Sequence, residues 1–327
     1  MRPVLTMVVG LPGSGKSTYV EQQCTYYNQG GRKAVIHSSD AIREELSGDV
    51  NNQRINQKVF EVLHKRVKED LEAGYIVYYD ATNISWKRRK AFLQELTSID
   101  CYKECVVIAT PFEECVRRND NRERKVPYKV LEHMYDNFDI PWYNEGWDRI
   151  LLEYTDTEYK NYYGTIDEFK RNYWNYDQHN KYHNLTLGQH CQKTFEYVLN
   201  TIDKLGVTYP PYYCRQELIA AASLHDCAKP DVQTFIDKKN NVTEYAHYYE
   251  HEHTGCYKSL FYGKPEGTDS LLVSVLIRWH MMMHFKEEWP DKTRDKYYKE
   301  FTSDTESNKI NLWQSLELLY TADKEAH

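Results

Sequence analysis

Short apolar runs punctuate the first half of the chain, each followed by a stretch long enough for a helix. Leu5–Val9, Ala34–His37, Tyr75–Tyr79, Cys105–Ala109 and Arg149–Tyr154 read as five strands. Helical periodicity fills the gaps, as in Asn56–Leu71 and Trp86–Leu96. Strands spaced by helices predict an α/β fold, a parallel sheet with helices on both faces. After Tyr154 the texture changes. Residues 156–181 are polar and Tyr-rich, a connector with room for one short helix. From Thr186 onward only helical periodicity is legible, in about six segments, which predicts an all-α second part. The boundary falls near residue 160, dividing the chain into 1–160 and 161–327.

Composition narrows the class. A chain of 327 residues favours two domains, and 41% hydrophobic with 28% charged residues is ordinary for a globular protein. The net charge of -7 excludes a uniformly basic nucleic-acid coat but not a local basic groove. No apolar run reaches the length of a membrane span, and the N-terminus enters a strand at once rather than a secretory signal. None of the eight cysteines forms a C-x-x-C pair. We read them as free thiols, and the expected location is cytoplasmic.

The first apolar run leads into "GLPGSGKST". Gly10-x-x-x-x-Gly15-Lys16-Ser17 is a full Walker A pattern. Backbone N–H groups of Gly13, Ser14 and Gly15 would close around phosphate oxygens, beside Thr18. Lys16 would reach the β and γ phosphates, and Ser17 would bind Mg²⁺. Three further stretches bear on what receives the phosphoryl group. "SSDAIREEL" places Asp40 just after the second strand, where a carboxylate can take a proton from a hydroxyl, or simply cap a helix. Arg43, one turn on, can hold an anionic group. "YYDATN" ends the third strand with Asp80, at the sheet edge where ligands bind in open α/β folds, or in a plain turn. Residues 117–125, "RRNDNRERK", hold five basic and two acidic side chains, either a solvated face or a mobile lid.

In combination these motifs resemble the phage-type 5′-polynucleotide kinases. That pattern is a P-loop, Asp-x-x-Arg after the second strand, DxTN after the third and an RNxxR…VP lid. By this resemblance Asp40 is the general base for a 5′-hydroxyl, with Lys16 and Arg122 as its catalytic partners. Arg43 and Asp80 lie on the substrate side. Arg118 and Arg122 are lid arginines on the ATP phosphates.

Nine of the 13 histidines lie between residues 179 and 284. His190 shares a helical face with Leu187, Thr194 and Val198, and His225 with Leu218 and Ala222. Asp323 aligns with Leu316, Leu319 and Tyr320. A carboxylate on an apolar face needs a partner, and a metal ion supplies one. Any one of these histidines could equally be a satisfied core residue. The series His190, His225-Asp226, His251, His280, Asp323 resembles the HD phosphohydrolase superfamily. That resemblance implies a first metal held by His190, His225, Asp226 and Asp323. A second ion, bridged by Asp226, would be held by His251 and His280. "HExxG" favours His251 over His253, and "RWH" favours His280 over His284. Mn, Fe, Co, Ni or Zn suits such ligands. Lys229 and His183 are candidate contacts for a substrate phosphate.

Both halves together resemble bifunctional end-healing enzymes that phosphorylate 5′-OH ends with ATP and Mg²⁺ and remove a 3′-phosphate or 2′,3′-cyclic phosphate. The expected partners are ATP and nucleic-acid ends, DNA or RNA. No K-x-D-G stretch occurs, so sealing would need a separate ligase. Two alternatives stay open. One is a small-molecule kinase fused to an HD nucleotidase, and the other an HD phosphohydrolase gated by ATP.

Overall fold

A computed structural model describes residues 2–180, 184–302 and 311–326. The chain divides into two compact units, Met1–Met134 with Pro141–Thr157, and Tyr135–Ile140 with Glu158–His327.

The first unit is built on five strands: β1 Val4–Val9, β2 Ala34–Ser38, β3 Ile76–Asp80, β4 Tyr102–Ala109 and β5 Arg149–Tyr154. They pair in the order β2-β3-β1-β4-β5, all parallel. Parallel neighbours need crossovers, and helices supply them: α1 Lys16–Gln29, α2 Ser39–Ser47, α3 Asn56–Glu72, α4 Trp86–Glu95, α5 Phe112–Asp120 and α6 Tyr128–Asp136. Val8, Ile76, Tyr78, Val106 and Ile108 pack with Val20 of α1 on one side of the sheet. α3 buries Val59, Leu63, Val67 and Leu71, spaced four apart so that they form one stripe. The register aligns Val8, Ser38 and Asp80 across three adjacent strands at their carboxyl ends. That edge is where the site is assembled.

The second unit is mainly helical: α7 Ile166–Asn172, α8 Leu187–Leu205, α9 Arg215–Leu224, α10 Lys229–Val232, α11 His251–Ser259, α12 Ser270–Trp279, α13 Asp291–Thr302 and α14 Leu312–Glu325. The expected short helix of the connector is α7, preceded by a 3₁₀ turn at Thr157–Asn161. One element departs from the all-helical reading. β6 Thr234–Ile236 and β7 Val242–His247 form an antiparallel hairpin. Its turn is held by Asp237, whose Oδ1 accepts from the N–H groups of Lys239 and Asn241, with Asn240 in the left-handed region at φ 63°. Val242 in it is 85% exposed, so no apolar alternation marks the strand. Among the described residues no helix is long and apolar enough to cross a membrane. All eight cysteines are free.

Candidate active sites

The loop after β1 turns twice through conformations that suit glycine. Gly13 has φ 82° and Gly15 φ 100°. A Cβ on Gly13 would stand 2.6 Å from the Cys115 carbonyl oxygen, so the loop lies flush against α5. Lys16 opens α1 and is buried, its Nζ donating to the Leu11 carbonyl at 2.7 Å. Burial pulls its pKa down, opposed by the carboxylate of Asp80. Ser17 Oγ donates to Asp80 Oδ2 at 2.9 Å. Burial pushes the Asp80 carboxyl up, against the pull of Lys16 and Ser17. Gly13, Gly15, Lys16, Ser17 and Thr18 line a cleft of about 1210 Å³ that also takes in Asp40, Arg43 and Asp80. Ser14 is different. Its side chain is buried and its N–H is bonded to the Leu11 carbonyl.

The far wall of the cleft carries the candidate base. The N-cap of α2 is Ser38, so Asp40 sits inside the first turn and is not the cap. Its Oδ1 accepts from Arg43 Nη1 at 2.8 Å, and Arg43 Nη2 donates to Asn56 Oδ1 at 2.6 Å. Asp40 Oδ2 is held by Arg124, whose Nε also donates to Asn51 Oδ1 at 3.2 Å. Arg118 and Arg122 line the same cleft. Arg118 donates to Glu114 at 2.7 Å, and Arg122 to Asn119 Oδ1 at 2.7 Å. Asn119 also accepts from Val126 N–H and donates to its carbonyl, tying the two ends of the basic loop together.

Sequence reasoning passed over Arg124, which lay inside the basic run but matched no motif position. It also passed over the clamp under "DATN". Asn83, at φ 51°, donates from Nδ2 to the Val8 carbonyl at 2.8 Å. Arg89 donates to the Asn83 carbonyl at 2.8 Å and makes a two-pronged pair with Glu145 at 2.8 and 2.6 Å. Both charges of that pair are buried, and Trp147 Nε1 donates to the same carboxylate at 2.9 Å. The clamp fixes the turn that follows Asp80.

The second cluster lies among helices. α8 supplies His190, the end of α9 supplies His225 and Asp226, α11 opens with His251, α12 ends at His280 and α14 carries Asp323. All six are buried. In four imidazoles Nδ1 faces a backbone carbonyl: His190 to Ala326 at 3.1 Å, His225 to Ala222 at 3.0 Å, His251 to Tyr248 at 2.9 Å, His280 to Ile277 at 2.6 Å. A carbonyl only accepts, so each Nδ1 carries a proton, and a ring that is neutral presents an Nε2 lone pair. These lone pairs converge. His190 and His225 Nε2 are 3.1 Å apart, and His251 and His280 Nε2 are 3.3 Å apart. Asp226 lies between the pairs, Oδ2 3.3 Å from His225 and Oδ1 3.2 Å from His251. Asp323 Oδ1 is 3.0 Å from His190.

Converging lone pairs and carboxylates demand positive charge. Burial opposes charging His225, but Asp226 and Asp323 outweigh it and push its pKa up to about 10. Burial and the neighbouring imidazoles hold His280 well below the ordinary value. Burial would raise both carboxyls. Lys229 and His225 instead hold Asp226 well below its usual range, and bonds from His190 and His225 do the same for Asp323. A divalent cation meets the same demand. Two donor groups, His190-His225-Asp226 and Asp226-His251-His280, have the compactness of metal sites. His253 lies apart, with Asp139 and Glu250. His284 donates to Asp323 Oδ2 at 2.8 Å, a second contact the sequence did not suggest. Lys229 is buried, 2.7 Å from Asp226 and donating to Gln178 Oε1 at 2.8 Å. His183 lies outside the described residues.

Sheet order, glycine loop and the lysine at the mouth of α1 define the first unit as a P-loop kinase domain. The second unit is a helical region with a buried His/Asp cluster. Residues 5–141 match the family model of an AAA domain. Among curated proteins the chain is 26% identical over 165 residues to L-seryl-tRNA(Sec) kinase of Methanococcus maripaludis, covering 50% of this chain and 64% of that protein. It is 25% identical over 168 residues to transcription factor bHLH140 of Arabidopsis thaliana, covering 49% and 17%. It thus spans less than two thirds of either relative. Among solved structures, one of a Pnkp1/Rnl/Hen1 complex aligns at a TM-score of 0.30, with 26% identity over 38% of this chain and 41% of that one.

Proposed function

We propose that the chain heals nucleic-acid ends, with a polynucleotide 5′-hydroxyl kinase in residues 1–160 and an HD-type phosphohydrolase in residues 161–327. The observation that carries the reading is the set of four Nδ1-anchored imidazoles aimed at two buried carboxylates, in a chain whose other cleft pairs a P-loop with Asp40.

In the kinase cleft, Lys16 would neutralise the phosphates of ATP, and Ser17 with Asp80 would hold Mg²⁺. Asp40 accepts the proton of the attacking 5′-hydroxyl, and Arg43 holds a phosphate of the acceptor. Arg118 and Arg122 stabilise charge on the transferring group. The bond to Arg124 must be exchanged for one to the hydroxyl before Asp40 can act as a base. In the second cluster, His190, His225, Asp226 and Asp323 would hold one metal ion, and Asp226, His251 and His280 another. Such ions, Mn, Fe, Co, Ni or Zn, lower the pKa of a bound water and clamp a phosphate. Lys229, fixed by Gln178, adds a cation beside the cluster for the substrate phosphate.

Incubation with a 5′-hydroxyl, 3′-phosphate oligonucleotide, ATP and Mg²⁺ or Mn²⁺ tests the whole reading. We expect a 5′-phosphate to appear and the 3′-phosphate to be lost. A chain that phosphorylates a free nucleoside as well as the oligonucleotide is instead a small-molecule kinase. Sealing the healed ends is left to a separate ligase.

A further inference from the structure

The second unit holds another cavity, of about 880 Å³, whose lining includes no residue of the His/Asp cluster. Four lining residues are cationic, Lys160, Lys170, Arg215 and Lys264, against one carboxylate, Asp167. That balance stands out in a chain of net charge -7. The carboxylate is 83% exposed and lies 3.4 Å from Nζ of Lys170, itself 11% exposed, so it offsets one of the four cations and leaves the cavity net positive.

Two helices supply much of the wall. α9 contributes Gln216, Ile219, Ala220 and Ser223, spaced to form one face. Phe195 comes from α8, five residues beyond His190 and so about 140° round the helix from it. The cavity therefore faces away from His190. Its rim is tied by a bridge between Thr165 and Gly263. A Cβ on Gly263 would meet Asn161 Oδ1 at 2.4 Å, so glycine there lets Asn161 close the rim.

The cations are placed rather than loose. Lys170 Nζ donates to Gln192 Oε1 at 2.9 Å and lies 4.5 Å from the centre of the Phe195 ring. Arg215 is braced by Asp203 at 2.9 Å. Lys264 Nζ donates to the Ser259 and Tyr262 carbonyls. Burial pulls the Lys264 pKa down to about 8, with no carboxylate among the groups that oppose it. An anion in the cavity would relieve that cost. Phe195, Ile219 and Pro265 supply an apolar wall suited to a flat ring.

We propose that this cavity binds a nucleotide, its phosphate on Lys170, Arg215 and Lys264 and its base against the apolar wall. The inference rests on neither proposed activity. α9, which lines the cavity, runs to Leu224, next to His225-Asp226 of the cluster.

Equilibrium binding of labelled AMP to the full-length Lys16→Ala variant in EDTA tests this, because neither the P-loop lysine nor a metal can then hold the phosphate. We expect saturable binding, weakened about tenfold or more by Lys170→Glu and by Arg215→Glu, as loss of a charge-assisted bond implies. AMP should outcompete both adenosine and inorganic phosphate. Arg215 lies at the rim, so its variant should fold normally, which near-UV circular dichroism checks. No saturable binding, binding unchanged in both variants, or inorganic phosphate binding as well as AMP would each overturn the proposal.

Discussion

Asp40 is half-exposed, held between Arg43 and Arg124, and aimed into the cleft that Lys16 closes from the other side. Asn at this position keeps one arginine contact on its Oδ1, gives up the other because its NH2 cannot accept from a guanidinium, and cannot take a proton. Asp40→Asn should leave ATP binding intact and slow phosphoryl transfer by about 10² to 10⁴. Near-normal turnover would reduce Asp40 to an anchor for Arg43. Asp226 is the carboxylate shared by the two donor groups. Asp226→Ala should lower both phosphoester hydrolysis and metal content, read by elemental analysis of the purified protein. A merely structural role would instead lower thermal stability with no change in bound metal.

At the scale of elements, the turn after β3 depends on a buried ion pair 56 residues apart in sequence. Removing one partner leaves the other charge buried without compensation. Arg89→Leu should cost about 3–5 kcal/mol in denaturant unfolding, and the double change Arg89→Leu with Glu145→Leu should recover a good part of it. A single variant as stable as the parent would show that water reaches the pair. α5 is steadied differently. Glu114 bonds Arg117 and Arg118, which hold its carboxyl down at about 2 from an ordinary 4.5. A depressed carboxyl stabilises the fold above its unfolded value, and the contribution fades as pH falls from about 4.5 toward 2. Acid titration of Glu114→Gln should therefore show a shallower loss of stability over that window than the parent. Parallel curves would remove Glu114 from the acid response.

For the whole molecule, the two candidate sites are built from different units and share no side chain. Lys16→Ala should abolish phosphoryl transfer and spare hydrolysis, and Asp226→Ala should do the reverse. Both activities are readable on one oligonucleotide by resolving its two ends. Loss of both in either folded variant would contradict separate sites and favour the ATP-gated alternative.

The sequence by itself determined what depends on neighbours along the chain. Apolar runs and helical spacing marked the five strands, because a strand buried in a parallel sheet must be apolar whatever lies beside it. Gly10 to Ser17 marked the phosphate loop, since its geometry is set by eight consecutive residues. The histidines and aspartates of the second cluster were legible as polar residues on apolar faces, and the family resemblance grouped them. Tertiary structure alone decided the rest. Arg124 reaches Asp40 across 84 residues, Arg89 finds Glu145, and His284 turns onto Asp323 rather than standing in for His280. None of these partners has a local signature, because a long side chain can meet any oppositely charged group that the fold brings within reach. The β6–β7 hairpin escaped for a related reason. Its ladder is made by backbone bonds and an Asp-centred turn, with little apolar burial to imprint a period of two on the residues.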